Sequence, residues 1–336
     1  MEATRLHARL DSPPLAARPA AEAAVAARVV PPAPRREGDE PWVFAIVPAF
    51  NRCDLTLRFC RKFAGVTYRN KRVVIVDDNS SDNTLFHLEL NFPDVIVVRG
   101  DGNLWWSGGT NAGVRYALEH GADYILTIND DCVMDPEFLT HMVDIARRDP
   151  KYIVGCRIHS ETEPDRIWAL GTTSVFRGGE MFRLNYAGQR WDDVRGTIAD
   201  PYPTDCMPGN GVLIPRAVFE QVGLYDAVHM PQYHADSDLV LRARKAGFQP
   251  VVSLRSVLHN HILDRPLVNN RLDLIFSRKS DRYWRALRTT FKRHAPWGRR
   301  TYLLMRQYSP FFFNGRIAKR IKRLVRRLLE GDSAES

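Results

Sequence analysis

KRVVIVDDNSSDNT, residues 71–84, reads as a buried strand that runs straight into an acidic, Asx-rich loop. Val73 to Val76 are continuously apolar rather than alternating, the pattern of a strand covered on both faces. WVFAIVPAF (42–50) repeats the pattern upstream; DVIVVRG (94–100) and ADYILTINDD (122–131) repeat it downstream. Between them lie Asp54 to Gly65, with helical spacing, and NLWWSGGTNAGVRYALEHG (103–121), read as a Gly-rich loop opening a helix. This alternation predicts βαβ units and a parallel sheet. Ligands of open parallel sheets sit beyond the carboxyl ends of the strands. The sequence puts Asp77, Asp78, Asn129, Asp130 and Asp131 there.

After about residue 150 the rhythm changes to short strand-like pieces rich in Gly, Arg and aromatics. GNGVLIPRAVFEQVG (209–223) reads as loop, strand and short helix. HADSDLVLRARKAGF (234–248) reads as a helix opened by acids and capped by Gly247. QPVVSLRSVLHNH (249–261) is a last strand leading to histidines. Residues 1–40 hold eleven Ala and six Pro, the composition of a disordered leader. The expected organisation is therefore a leader (1–40), a catalytic domain (41–265, with halves 41–131 and 132–265) and a basic, aromatic-rich helical tail (266–336).

The composition of the 336 residues, 44% hydrophobic and 26% charged, excludes a wholly disordered chain and a disulfide scaffold. No apolar run approaches ~18 residues, so no transmembrane helix is expected. Arg5, His7, Arg9 and Asp11 break up the N-terminus before a signal-peptide core forms. Cys53, Cys60, Cys132, Cys156 and Cys206 form no CxxC pair and read as reduced thiols. The net charge of +9 is localised: Phe291 to Glu330 carries twelve Lys/Arg against one acid, and residues 1–290 sum to zero. RIAKRIKRLVRRLLE (316–330) places Ile317, Ile321, Leu324, Val325 and Leu328 at helical spacing among basic residues. Such a helix suits an anionic membrane surface. Trp284, Trp297, Tyr302 and Phe311 to Phe313 suit the headgroup region, and a nucleic-acid partner is not expected.

Asp130-Asp131 at a strand end suits a hard divalent cation, which takes one or two carboxylates plus substrate phosphates; a capping role near Asp135-Pro136 is the alternative. Asp77 to Ser80 suits either a base or ribose contact or an Asx turn. Asp236 and Asp238 open a helix, which needs one capping acid and leaves the other for general-base work. His259 and His261, after the last strand, suit metal binding.

VPAFNR (47–52), VVIVDDNSSDNT (73–84), NDD (129–131), GNGVLIPR (209–216) and ADSDLVLRARKAGF (235–248) occur in an order and spacing that resemble family 2 glycosyltransferases. NLWWSGGTNAGV resembles the rhamnosyl- and galactofuranosyl-transferase branch. The resemblance covers about Val43 to Asn260 and implies an α/β GT-A fold, Rossmann-like, with a mostly parallel sheet flanked by helices and a C-terminal helical extension. It implies an inverting, metal-dependent transfer of a sugar from a nucleotide diphosphate to a hydroxyl of a lipid-linked acceptor, in cell-surface polysaccharide biosynthesis. The cofactor would be Mg²⁺ or Mn²⁺.

By the same resemblance, Asp236 matches the catalytic base and Asp131 the metal ligand, with His259, or His261 in its place, completing the metal site. Asp78 matches the base-binding acid, Phe50 lies where the base packs, and Asn129 and Asp130 lie near the ribose. Pro48, Asn51, Gly108 and Gly109 complete the expected donor set. Trp105, Trp106, Gly209, Asn210 and Gly211 form the expected acceptor and sugar set. A sugar-nucleotide nucleotidyltransferase is the competing enzyme, but PAFNRCD lacks its basic, Gly-rich phosphate loop. A non-catalytic membrane- or polyanion-binding protein on the same fold is the other alternative. The expected location is the cytoplasm, at the inner face of the cell membrane.

Overall fold

The computed structural model describes residues 40–261, 271–312 and 323. The expected leader, save residue 40, and the expected basic helix, save Arg323, lie outside the described residues. The first half alternates: β1 (Val43–Ala49), α1 (Cys53–Ala64), β2 (Lys71–Asp77), α2 (Thr84–Asn91), β3 (Ile96–Arg99), α3 (Trp105–Glu119) and β4 (Tyr124–Thr127). Next come β5 (Cys132–Met134), α4 (Phe138–Ala146), β6 (Tyr152–Ser160), β7 (Ile167–Ala169), β8 (Thr172–Arg177), β9 (Glu180–Leu184), α5 (Trp191–Val194) and β10 (Tyr202–Pro203). The chain continues through β11 (Val212–Pro215), α6 (Arg216–Val222), α7 (Ala235–Lys245) and β12 (Gln249–Asn260), then α8 (Arg271–Phe276), α9 (Trp284–His294) and α10 (Arg300–Phe312).

The main sheet has the order β10-β12-β6-β11-β4-β1-β2-β3. β3, β2, β1 and β4 are mutually parallel, as are β6 and β12. β11 enters antiparallel between β4 and β6. The sheet is thus mostly parallel, with helices on both faces. β1 shows why its sequence is continuously apolar. Val43, Ala45 and Val47 belong to one core with Phe59 and Phe63 of α1 and Phe138 of α4. Phe44 and Ile46 belong to a second core with Val114 of α3 and Leu239 of α7. Alternate side chains leave opposite faces of a strand, so a strand covered twice must be apolar throughout.

Two expectations change here. The glycines after Trp106 do not form a loop, because α3 begins at Trp105 and Ser107 to Gly113 are helical. Their role is packing: a Cβ on Gly113 would stand 2.4 Å from Ile46 Cγ2, and one on Gly109 would stand 3.2 Å from Pro48 Cβ. Glycine lets α3 lie close on β1, despite its cost inside a helix. The boundary expected at 265/266 also fails to separate two cores. Tyr283, Ala286, Leu287, Phe291 and Leu303 are buried in the same core as Phe44 and Ile46. Trp284 and Tyr302, expected at lipid headgroups, pack against that core, whereas Trp297 is 85% exposed. No helix among the described residues is long and apolar enough to cross a membrane.

Candidate active site

β1 and β4 are adjacent and parallel, so the segments leaving their carboxyl ends meet. There they line a cleft of about 420 Å³ together with the loop before β11, the start of α7 and the end of β12. Its lining includes Pro48, Arg52, Trp106, Asn129, Asp131 and Asp236.

Arg52, just past β1, spans two carboxylates. Its Nη1 lies 3.0 Å from Asp130 Oδ1 and its Nη2 2.9 Å from Asp131 Oδ2. Thr56 Oγ1 donates to Asp130 Oδ2 at 3.0 Å. Asp130 is 2% exposed. Burial pushes its carboxyl up to about 6, against the opposing pull of Arg52 and Thr56; the neighbouring Asp131 charge pushes the same way as burial.

On the other wall, Asp236 accepts a hydrogen bond from Gly209 N at 2.9 Å and from Ser237 N at 2.7 Å. A Cβ on Gly209 would stand 2.7 Å from Trp106 Cη2 and 2.8 Å from Asp236 Cβ, so a side chain there would collide with both walls. Asparagines tie the strands together. Trp106 Nε1 donates to Asn129 Oδ1 (3.0 Å), Asn129 N to Asn210 Oδ1 (2.9 Å), and Asn210 Nδ2 to Asn260 Oδ1. This ladder fixes the ends of β4, β11 and β12 around the cleft.

Of the residues expected from sequence, Pro48, Trp106, Asn129, Asp130, Asp131, Gly209, Asn210, Asp236 and His261 line this cleft. Others go elsewhere. His259 does not line it; its ring faces His159, with centroids 5.5 Å apart. β12 explains the exchange. Asn260 points to Asn210, alternation sends His259 to the other face, and His261 lies beyond the strand, where it no longer follows the pleat. Asp78 is buried and is not among the residues that line this cleft. It accepts backbone N–H bonds from Gly102 (2.8 Å), Leu104 (2.9 Å) and Trp105 (3.3 Å), and so shapes the turn into α3.

Phe50 is 51% exposed and does not line the cleft, and Asn51 accepts from Ser81 N, bridging the loops after β1 and β2. Trp105 and Gly108 line a separate groove, Gly109 is buried against Pro48, and Gly211, with φ +72, is buried against Cys156. Asp238 does not cap α7: its carboxylate pairs with Arg242, Arg293 and His294.

Sequence reasoning left Arg52 without a role, although it ends the quoted VPAFNR; an arginine at a strand end facing an NDD triplet was the available signal. Gln232 and Tyr233 also line the cleft, with nothing in their spacing to mark them, as does His234, which the sequence sets just before the acids that open α7. Among the described residues, no three His, Cys, Asp or Glu side chains form a metal-holding group. The donor set still suits a hard cation that arrives with its own phosphates, since such ions use one or two carboxylates and keep several waters. Asp131 is the carboxylate available for that task, and His261 lines the same cleft with its Nδ1 2.9 Å from Glu161 Oε2.

A family model described as glycosyl transferase family 2 matches residues 44–223, more than half of the chain. A UDP-N-acetylglucosamine–dolichyl-phosphate N-acetylglucosaminyltransferase of Methanococcus voltae is 28% identical over 36% of this chain and 54% of its own length. The chain thus spans about half the length of that relative. An N-acetylglucosaminyl-diphospho-decaprenol L-rhamnosyltransferase of Mycobacterium tuberculosis is 26% identical over 60% of this chain and 71% of its own. The mannosyltransferase PcManGT of Pyrobaculum calidifontis, solved with GDP-Man and Mn²⁺, superposes with a TM-score of 0.53 and 16% identity, covering 81% of this chain and 70% of its own.

Proposed function

The chain belongs to glycosyl transferase family 2, and from that premise we propose that it is an inverting hexosyltransferase moving a sugar from a nucleotide diphosphate to a hydroxyl of a lipid-linked glycan. The observation that carries the reading is the cleft itself: Asp236 on one wall faces the Asn129–Asp131 triplet on the other, at the carboxyl ends of the parallel strands.

The acceptor hydroxyl attacks the anomeric carbon from the face opposite the diphosphate. Asp236 takes its proton while the bond to the diphosphate oxygen breaks. Two backbone amides orient Asp236, and positioning supplies much of the rate advantage. A divalent cation, Mg²⁺ or Mn²⁺, when bound, neutralises the charge that develops on the leaving diphosphate; Asp131 would hold it, with His261 at hand. Pro48, Asn129 and Asp130 are placed for the donor. Trp106, Gly209 and Asn210 are placed for the transferred sugar or acceptor.

The dolichyl and decaprenol groups in the relatives' names support a lipid-linked acceptor. The basic run 316–330 supports attachment to an anionic membrane surface, on its inner face. Deleting residues 316–336 is expected to release the protein from anionic vesicles, in a salt-sensitive manner, while turnover of a short soluble acceptor persists. Equal vesicle binding by the truncated chain would contradict this role.

The activity is tested by incubating the purified protein with a panel of nucleotide sugars, with Mn²⁺, Mg²⁺ or EDTA. The reading predicts metal-dependent turnover of one donor that Asp236→Asn abolishes. Turnover equal in EDTA would overturn the metal dependence, and turnover equal in Asp236→Asn would overturn the base.

A further inference from the structure

Arg52 is the only arginine or lysine among the described residues that line the cleft. Its backbone is held from both sides. Its carbonyl accepts from Thr56 N at 3.0 Å, and the next amide, of Cys53, donates to Asp82 Oδ2 at 2.8 Å. Its side chain is about one-third exposed and spans a buried carboxylate, Asp130, and a cleft-facing one, Asp131. Its Nε is buried and has no hydrogen-bond partner. A buried donor without an acceptor is uncommon and calls for an explanation. Here it is a donor left over for an oxygen that the free protein does not supply.

We propose that Arg52 is a resident counter-ion that keeps Asp131 from free divalent cations and yields it when a donor diphosphate arrives to receive the guanidinium. The proposal rests on the cleft being the donor site. A cation binding alone either takes Asp131 Oδ2 from Arg52, breaking a charge-assisted hydrogen bond, or sits on Oδ1 beside the positive guanidinium. The first course also leaves the guanidinium short of acceptors beside it. A diphosphate removes that cost, because its oxygens match the planar fork of guanidinium donors. Cation and diphosphate then bind together better than singly, and by linkage each tightens the other by the same factor. Asp130, buried and also bonded to Thr56, keeps its hold on Nη1 of the guanidinium.

The test measures Mn²⁺ binding to the full chain from the signal of free Mn²⁺ in paramagnetic resonance. It is run without nucleotide and with saturating UDP, GDP or dTDP, whichever binds the wild type. In the wild type the nucleotide is expected to tighten Mn²⁺ on the order of 10–100-fold. In Arg52→Gln, Mn²⁺ alone is expected to bind about 10-fold tighter than in the wild type, with the nucleotide's further effect reduced by about the same factor and the remainder supplied by direct contact of Mn²⁺ with the diphosphate. Arg52→Gln strips the buried Asp130 of its counter-charge; if it fails to fold, Arg52→Gln/Asp130→Asn removes both charges and is held to the same expectation. A purely structural ion pair would lower the melting temperature and leave the coupling at its wild-type value, and that result overturns the proposal. If none of the three diphosphates binds the wild type with Mn²⁺, the donor-site reading falls first and takes the proposal with it.

Discussion

Two groups of carboxylates on this fold meet cations in opposite ways. At the joint between α7 and α9, Asp238 is fully buried and receives Arg242 Nε at 2.8 Å, Arg293 Nη1 at 3.1 Å and His294 Nε2 at 2.8 Å. Arg293 Nη2 also reaches Asp226 at 2.7 Å. In the cleft, Asp130 and Asp131 share one arginine, and among the described residues Asp236 meets only backbone amides. Burial would raise Asp238, but His294, Arg242 and Arg293 outweigh it and hold the carboxyl at about 2. Burial wins at Asp130, which stands at about 6. A carboxylate whose lone pairs are all answered by the protein holds elements together; one left short is placed for something the protein lacks.

The contrast is sharpest two residues apart on one helix. Asp236→Asn keeps the shape but loses basicity and one of the two backbone hydrogen bonds, since both carboxylate oxygens accept here and an amide has a single acceptor oxygen. It is expected to fold with a melting temperature only slightly lowered and to lose kcat by on the order of 10²–10⁴-fold. Asp238→Asn strands Arg293 and Arg242 without their shared anion. It is expected to lose about 3 kcal/mol of stability and to retain far more turnover per folded molecule. Paired kcat and melting measurements decide between them; a dead, well-folded Asp238→Asn beside an active Asp236→Asn would reverse the assignment.

A smaller effect separates the groups by pH. Asp238, lowered in the fold, stabilises above the unfolded carboxylate value near 4, and that contribution disappears as pH falls toward 2. It amounts to about 2 kcal/mol. Asp130, raised in the fold, acts with the opposite sign. Its ionisation opposes folding, so its penalty is absent below about pH 4 and complete above about pH 6, again about 2–3 kcal/mol. Without metal, Asp130→Asn should therefore gain stability relative to wild type as pH rises from 4 to 6. Asp238→Asn should lose relative stability as pH rises from 2 to 5. Denaturant midpoints across pH 2–7 read both slopes, and parallel slopes would erase the distinction.

These acids also show what was legible in the sequence. The strands were, because a strand buried on both faces must be apolar throughout, as Val43 to Val47 are. NDD was, because it follows such a strand directly. The partners were not. Arg52 meets Asp131 across 79 positions, and Asp78 meets the turn amides across 24 to 27. Such pairings follow from strand order, which spacing does not reveal. The α3 glycines look the same in sequence whether they serve a ligand or a packing contact; only Ile46 beneath Gly113 decides. The helices after residue 270 were read as a tail because their basic charge is conspicuous. Yet Leu287 and Phe291 lie in the main core, and Arg293 and His294 close on the helix that carries Asp236.

The central claim is that the cleft carboxylates serve a cation and a nucleotide diphosphate that bind together. Calorimetric titration of UDP, GDP and dTDP with Mn²⁺ into the wild type and Asp131→Ala tests it most directly. The account predicts saturable, metal-dependent binding of one diphosphate to the wild type, and its loss in Asp131→Ala with the fold intact. Unchanged affinity in Asp131→Ala would contradict it.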